Sequence, residues 1–391
     1  MGIPEYMDFP EAEYKRRYSK AQELMDRNGL SGLLITEGGI YTYFSGGTRD
    51  FSFSRPHTLL LPLNGEPVVI IQRLQGAIAK KEMWFEDIRI YEDPLGVPVD
   101  MVAEAMREKR MDKGKIGAEL GYEQRIGTSL NEFTRMQDSV PDVEWVDASD
   151  IFWGIRSIKS VEEIERHRKA CQITVQAYSS LFPSLREGMG EQEIVDKFLK
   201  LQFNSGGYTP WALINSGPEN YSAIGSGRGN RRIQKGNQVW VDGGCSCRGY
   251  TSDFCCAATV GPPSDKQKKM QQVVADITTI LFKAIRPGMK ACDIDALNIK
   301  EWEKRGYDYG KINRGAGRIG HGLGTFANVT VPPHIASYDK TVIRPGMVIT
   351  LEPGLATEYG RYTTEFDIVI NDDGCELLNE MDLELRIIPL N

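Results

Sequence analysis

Two stretches in the second half of the chain carry acids in a matching arrangement. Asp242 closes the apolar run Val239-Trp-Val241, and Asp253 follows eleven residues later across a bend containing Gly243, Gly244 and Gly249. Glu352 closes Ile349-Thr-Leu351, and Glu365 follows thirteen residues later. Each stretch opens on a glycine turn, at Gly236 or Gly346, and runs strand, bend, return strand. Antiparallel pairing brings both acids of a pair to one edge. Four carboxylates converging in a pocket cannot all ionise unless cations neutralise them. Hard divalent ions are the natural partners of such oxygen ligands. His321, framed by Gly320 and Gly322, is the fifth ligand candidate. A lone histidine is ordinarily structural, but here the glycine frame lets backbone pack closely and frees the ring to reach a site.

The elements that must hold these residues also repeat. Arg186-Glu-Gly188-Met189 returns as Arg286-Pro-Gly288-Met289, and each opens a helix, over about 191–203 and 291–304. Phe203-x-x-Gly-Gly207-Tyr208 is echoed by Arg305-Gly306-Tyr307. Two helix–helix–hairpin units folded about one shared site fit this better than a solenoid, which needs more copies. Upstream, Ser160-Val-Glu-Glu163 is a capping-box signature that opens a long helix to about Ser180. Ile164, Cys171, Thr174 and Tyr178 lie on one face of it.

Before that boundary the pattern changes. Tyr14, Tyr18, Ala21, Leu24 and Met25 recur at helical spacing over 11–28. Short apolar runs at 33–35, 59–61, 68–71, 88–91 and 116–118 then alternate with helical segments such as 99–110, the signature of an α/β domain. The expected organisation is α+β, with a smaller α/β domain over 1–155 and a pseudo-two-fold domain over 156–391.

The bulk numbers exclude more than they identify. At 391 residues two domains are expected, and 41% hydrophobic with 26% charged residues is ordinary for a globular protein. A net charge of -7 argues against a nucleic-acid groove. No stretch approaches the ~18 apolar residues that a membrane helix needs. The start, Met1-Gly-Ile-Pro, has neither a basic segment nor an apolar run, so no secretory signal and a cytoplasmic location are expected. Of seven cysteines, four crowd into Cys245-x-Cys247 and Cys255-Cys256. That spacing matches no zinc finger or ferredoxin, and the four read as small apolar fillers on strands near the carboxylates.

In the order of these residues the chain resembles the creatinase, aminopeptidase P and methionine aminopeptidase superfamily, which has the pita-bread fold. Val241-Asp242-Gly, Thr251-Ser-Asp253, Gly320-His321-Gly, Leu351-Glu352-Pro-Gly and Thr364-Glu365 match its five ligand motifs in sequence. The likeness covers roughly 160–385, and Tyr41-x-Tyr43-x-Ser-Gly46 resembles the creatinase-type domain that precedes it. The resemblance implies two divalent ions (Mn, Fe, Co or Zn), with Asp253 and Glu365 bridging both. Asp242 would hold one ion, and His321 and Glu352 the other. Such a pair, about 3.5–4 Å apart, shares a hydroxide nucleophile, and Glu352 becomes the proton carrier. A homodimer acting on a small-molecule substrate is also implied, with no nucleic-acid or membrane partner.

Two family histidines that steady the substrate are missing. Their places fall on Gly225 and on Asn328, which keeps hydrogen-bonding ability but carries no proton charge. Asn328 is therefore the candidate stand-in, with His334 or Arg228 as alternatives. Tyr208, Trp211 and Tyr221 are candidates for an aromatic cage around a cationic group, and Arg228, Arg231 and Arg232 for a carboxylate clamp. Phe51, Phe53, Arg55 and His57 are weaker candidates, for closing a neighbouring subunit's site. The expected activity is hydrolysis of a small amide or C–N bond, related to Xaa-Pro dipeptidase, with a substrate other than a standard peptide. The alternative is elimination from a small cationic zwitterion, as in dimethylsulfoniopropionate lyase.

Overall fold

The computed structural model describes residues 7–48, 55–93, 95–223, 230–309, 317–325 and 328–390. The chain divides into two compact units, Met1–Arg156 and Ser157–Asn391.

The first unit has helices α1 (Glu11–Asn28), α2 (Gly38–Ser45), α3 (Arg73–Glu82), α4 (Val99–Glu108), α5 (Leu130–Ser139) and α6 (Ser149–Arg156). Its strands are β1 (Leu30–Ile35), β2 (Thr58–Pro62), β3 (Val68–Gln72), β4 (Ile88–Tyr91), β5 (Gly114–Ala118) and β6 (Val143–Asp147). They form one sheet in the order β4-β3-β2-β1-β5-β6. The β1–β2 and β2–β3 pairs are antiparallel, and the other neighbours run parallel. β2 and nearly all of β1 and β3 are buried, which is why 33–35, 59–61 and 68–71 read as short apolar runs. Leu34, Leu60, Val68, Ile70, Met106 and Ile116 are at the centre of this core.

The second unit has helices α7 (Val161–Leu181), α8 (Glu191–Asn204), α9 (Asp265–Ala284) and α10 (Ala291–Lys304). Its first sheet is built on β7 (Tyr208–Ser216), β8 (Gln238–Cys247), β9 (Tyr250–Thr251) and β10 (Phe254–Val260). The second is built on β11 (His321–Leu323), β12 (Thr330–His334), β13 (Val348–Leu351), β16 (Phe366–Ile370) and β17 (Cys375–Leu377), with a ribbon of β14 (Gly354–Thr357) and β15 (Gly360–Thr363). β18 (Arg386–Ile388) returns to pair with β10. The orders β18-β10-β8-β7 and β12-β11-β13-β16-β17 put the two acid-bearing hairpins, β8–β10 and β13–β16, inside their sheets.

The internal repeat holds at the level of single hydrogen bonds. Gly188 N donates to Ile233 O and Ile233 N to Met189 O; Gly288 N donates to Ile343 O and Ile343 N to Met289 O. Gly236 N donates to Val260 O, as Gly346 N does to Ile370 O. The capping box opening α7 is present, with Ser160 and Glu163 bonded reciprocally.

One expectation of the repeat shifts. The sequence echo aligns Asp253 with Glu365, but strand register aligns Cys255 with Glu365. Cys255 pairs with Asp242 across β8–β10, whereas the pairs Leu351–Phe366 and Gly354–Thr363 place Glu365 across from Glu352. Asp253 falls two residues from Cys255, across from Gly244. Because side chains alternate with period two, that shift leaves both second acids on the site face.

Tyr178, buried in α7, reaches across this arrangement. Its hydroxyl lies 2.8 Å from Phe254 O and 3.1 Å from Val241 O, the residues beside Asp253 and Asp242. Tyr178→Phe removes the donor from a buried pair of carbonyls and is expected to cost about 1 kcal/mol. The check is a lower urea midpoint at unchanged slope.

Candidate metal centre

His321 is fixed before its ring meets anything. Its N–H donates to Thr350 Oγ1 at 3.1 Å, and its strand pairs with both β12 and β13. The flanking glycines are sterically required. A Cβ at Gly320 would stand 2.2 Å from Thr350 O, and one at Gly322 would stand 2.3 Å from Pro332 O. The ring's Nδ1 lies 3.0 Å from Gly322 O, which can only accept, so Nδ1 carries a proton. Nε2 then faces Asp253 Oδ2 at 3.2 Å and Glu352 Oε1 at 3.7 Å.

Asp253, His321 and Glu365 each offer a ligand atom, all within 4.8 Å of one another, and all three residues are buried. Glu352 joins them through His321, and its backbone N–H is tied to Ile319 O at 2.8 Å. Asp242 stands on the same face of β8, and its Oδ1 is buried without a hydrogen-bond partner.

Electrostatics make this an uneasy group without a counter-charge. Burial is the main cause that raises the proton affinity of every carboxylate here. Asp253 and Glu352 are each pushed up to about 7. Asp242 and Glu365 go well above the usual range, with added repulsion from neighbouring acids. Arg361 opposes the shift at Asp242, and Arg318 opposes it at Asp253 and Glu352. A ring nitrogen and several acid oxygens crowded into one pocket need protons or cations between them. The donor set of four carboxylates and one imidazole fits divalent metal ions.

The structure thus brings Asp253, His321, Glu352 and Glu365 together from the two sheets, with Asp242 near them on the same face of the first sheet as Asp253. The other sequence candidates fare differently. Asn328 is exposed in the turn between β11 and β12. His334 is buried and directly opposite His321 in the strand register. Tyr208 is exposed, while Tyr221 is buried with its hydroxyl accepting from Gln238 N at 2.9 Å. Trp211 pairs with Gly244, and its buried indole Nε1 has no hydrogen-bond partner. No ring contact joins these three aromatics among the described residues, and Tyr208 and Tyr221 face opposite environments. Arg231 lies 4.0 Å from Glu219, and Arg232 donates to Gly188 O. Arg228, Gly225, Phe51 and Phe53 lie outside the described residues. In the first unit, His57 is buried against Tyr41. All seven cysteines are free, and Cys171, Cys245, Cys255 and Cys256 are buried on or beside the strands of the centre.

Several residues of the centre escaped sequence reasoning. Asp367, two positions after Glu365, is fully buried and accepts from Asp253 N at 3.0 Å and from Cys171 Sγ at 3.2 Å. Its signal was the alternation Glu365-Phe-Asp367 on a strand. Arg361 packs its guanidinium over Trp240 at 4.7 Å. His167, buried in α7, faces Thr251 O at 2.7 Å, and burial pushes its ring down to about 3, so it is neutral. Arg318 sits three residues before His321, where a basic residue ahead of Gly-His-Gly was the only cue.

Comparison with known proteins bears on the family and the fold. The family model described as metallopeptidase family M24 matches residues 165–374, and that of the creatinase/prolidase N-terminal domain matches 17–158. An Xaa-Pro dipeptidase of Pyrococcus furiosus is 27% identical over 383 residues, covering 95% of this chain and 99% of the relative. A prolidase structure from Thermococcus sibiricus superposes with a TM-score of 0.82 at 26% identity, covering 96% of this chain and 99% of its own. For an Xaa-Pro dipeptidase from Bacillus anthracis the TM-score is 0.84 at 23% identity, covering 96% and 99%, a likeness of fold. With a creatinase-type domain leading into a pita-bread domain, the chain belongs to metallopeptidase family M24.

Proposed function

We propose that the chain is a metal-dependent hydrolase that cleaves the C–N bond of a small amide. Two divalent ions would be held by Asp242, Asp253, His321, Glu352 and Glu365. The observation that carries this reading is the buried triad of Asp253, His321 and Glu365 ligand atoms within 4.8 Å of one another. The ions, when bound, would polarise the scissile carbonyl and make water acidic enough to serve as nucleophile near neutral pH.

Each residue's part follows from its setting. Glu352, 3.7 Å from His321 Nε2 at the edge of the centre, is placed to take a proton from water and give it to the departing nitrogen. His321, held with its proton on Nδ1, presents Nε2 as a ligand lone pair. Asp367, by accepting from Asp253 N, fixes the backbone that aims Asp253. Trp211 and Leu213, across from Gly244 and Asp242, give the centre an apolar wall.

The relatives are named for Xaa-Pro dipeptides, which favours hydrolysis over the elimination alternative. Gly225 and Asn328 stand where the family resemblance expects histidines, so we infer a substrate other than a standard peptide. A panel of Xaa-Pro dipeptides and small N-acyl amides, with products identified, tests this. Hydrolysis products from the amides with weaker turnover of the dipeptides are expected, and elimination products would refute the reading.

Two predictions follow from the metal assignment. Asp253→Ala should lower kcat by more than the ~10–100-fold typical of outer-shell partners, and metal analysis should show ions lost. An inactive variant that keeps two ions per chain would remove Asp253 from the ligand set.

The second concerns pH. The folded-state proton affinities of Asp253 and Glu352 lie above those of ordinary carboxylates. In metal-free protein their contribution to stability is therefore full in acid and lost as pH rises through about 7. Metal must displace these protons, so below pH 7 its apparent affinity should fall by about tenfold per unit for each proton displaced. Calorimetry in buffers of different ionisation enthalpy reads that proton release. Affinity independent of pH between 5.5 and 7 would contradict it.

A further inference from the structure

Arg318 has features that a surface arginine does not. It leads into β11, one residue before Ile319, whose carbonyl holds the backbone N–H of Glu352. Its Nη1 lies 3.4 Å from Nδ1 of His334. His334 is itself buried and faces His321 across the strand pair. Ile319 N donates to Ile335 O, and Ile335 N donates to Gly320 O, so the segments carrying Arg318 and His334 are locked side by side. A guanidinium cannot accept a hydrogen bond, so His334 Nδ1 is the acceptor and the ring proton sits on Nε2.

Among the described residues the guanidinium pairs with no acid, and its Nε is buried without a hydrogen-bond partner. Yet its charge is felt at the carboxyls of Asp253 and Glu352, whose proton affinities it lowers. A cation whose buried donor has no partner among the described residues, one residue from the carbonyl that holds Glu352, is a binding element in waiting, because orphaned buried N–H groups are costly. Arginine in particular matches the fork of a carboxylate or a tetrahedral anion.

We propose that Arg318, braced by His334, binds a negatively charged oxygen of the substrate at the Glu352 edge of the centre. The pair would take over the part of the two imidazoles that this chain lacks. The anion has two possible sources: the oxyanion that develops at the scissile carbonyl, or a permanent carboxylate next to it. This inference rests on the hydrolase reading above, from which it is separated by a binding measurement.

The probes are two phosphinic analogues of a small N-acyl amide, one with a carboxylate beside the phosphinate and one with a carboxamide there, titrated into metal-loaded protein. Arg318→Gln should weaken binding by about 10²-fold, the scale of removing one oxyanion donor. Loss with both probes assigns the oxyanion, and loss with the carboxylate probe alone assigns the carboxylate. Arg318→Lys, which keeps charge but not the fork, should recover part of the affinity. Melting temperature and metal content should match the unsubstituted protein, which separates the effect from misfolding. Unchanged affinity in Arg318→Gln, with tight binding by the unsubstituted protein, overturns the role of Arg318 alone. Failure of the metal-loaded, unsubstituted protein to bind either probe counts against the hydrolase reading and Arg318 together.

Discussion

Mutual repulsion among buried carboxylates is the constraint on which the second unit is built. Asp253, Glu365 and Asp367 are buried, Asp242 and Glu352 are partly so, and neighbouring acids make Asp242, Glu352, Glu365 and Asp367 harder to ionise. Few folds tolerate that without a counter-charge. Here the sheets hold the acids in place whatever their charge. Backbone bonds at Asp253, Glu352 and His321, and the Tyr178 hydroxyl beneath β8 and β10, fix the donors before any ion arrives. A preset cluster of this kind spends its strain on affinity for cations.

The pseudo-two-fold supplies this preorganisation with short stretches of chain. The same turn, the same pair of bonds around Gly188 and Gly288, and the same hairpin register recur in both halves. The symmetry is nevertheless broken where chemistry requires it. Asp253 and Glu365 occupy positions two residues apart in the shared register, and Cys255 stands at the position equivalent to Glu365. The centre is thereby lopsided: Glu352 and Glu365 oppose each other in one half, while Asp242 faces a thiol in the other. Arg361 and Arg318 add positive charge at the Asp242 and Glu352 sides respectively.

Much of this was legible in the residues. The five ligand candidates carried their own flanks, and the Gly-His-Gly frame could be read as a steric demand, later visible in the 2.2 and 2.3 Å approaches at Gly320 and Gly322. The helices at α1, α7, α8 and α10 announced themselves through apolar periodicity, a capping box and repeated Gly-Met turns. Less legible were residues whose role depends on neighbours far along the chain. Asp367, Arg318 and His167 look like ordinary strand, loop and helix residues until folding places them. The aromatic trio read as a cage was divided by the backbone: Tyr221 went inward to Gln238 and Tyr208 outward to solvent.

The sequence by itself determined which side chains could ligate, the order in which they occur, and the alternation that keeps each acid on one face of its strand. Those properties are local, set by residue type and by a period of two. Tertiary structure alone decided which acids oppose one another, that Glu365 aligns with Cys255 rather than Asp253, and that an arginine and a second histidine stand beside His321. Such facts depend on hydrogen-bonded register between segments tens of residues apart, and no local spacing encodes them.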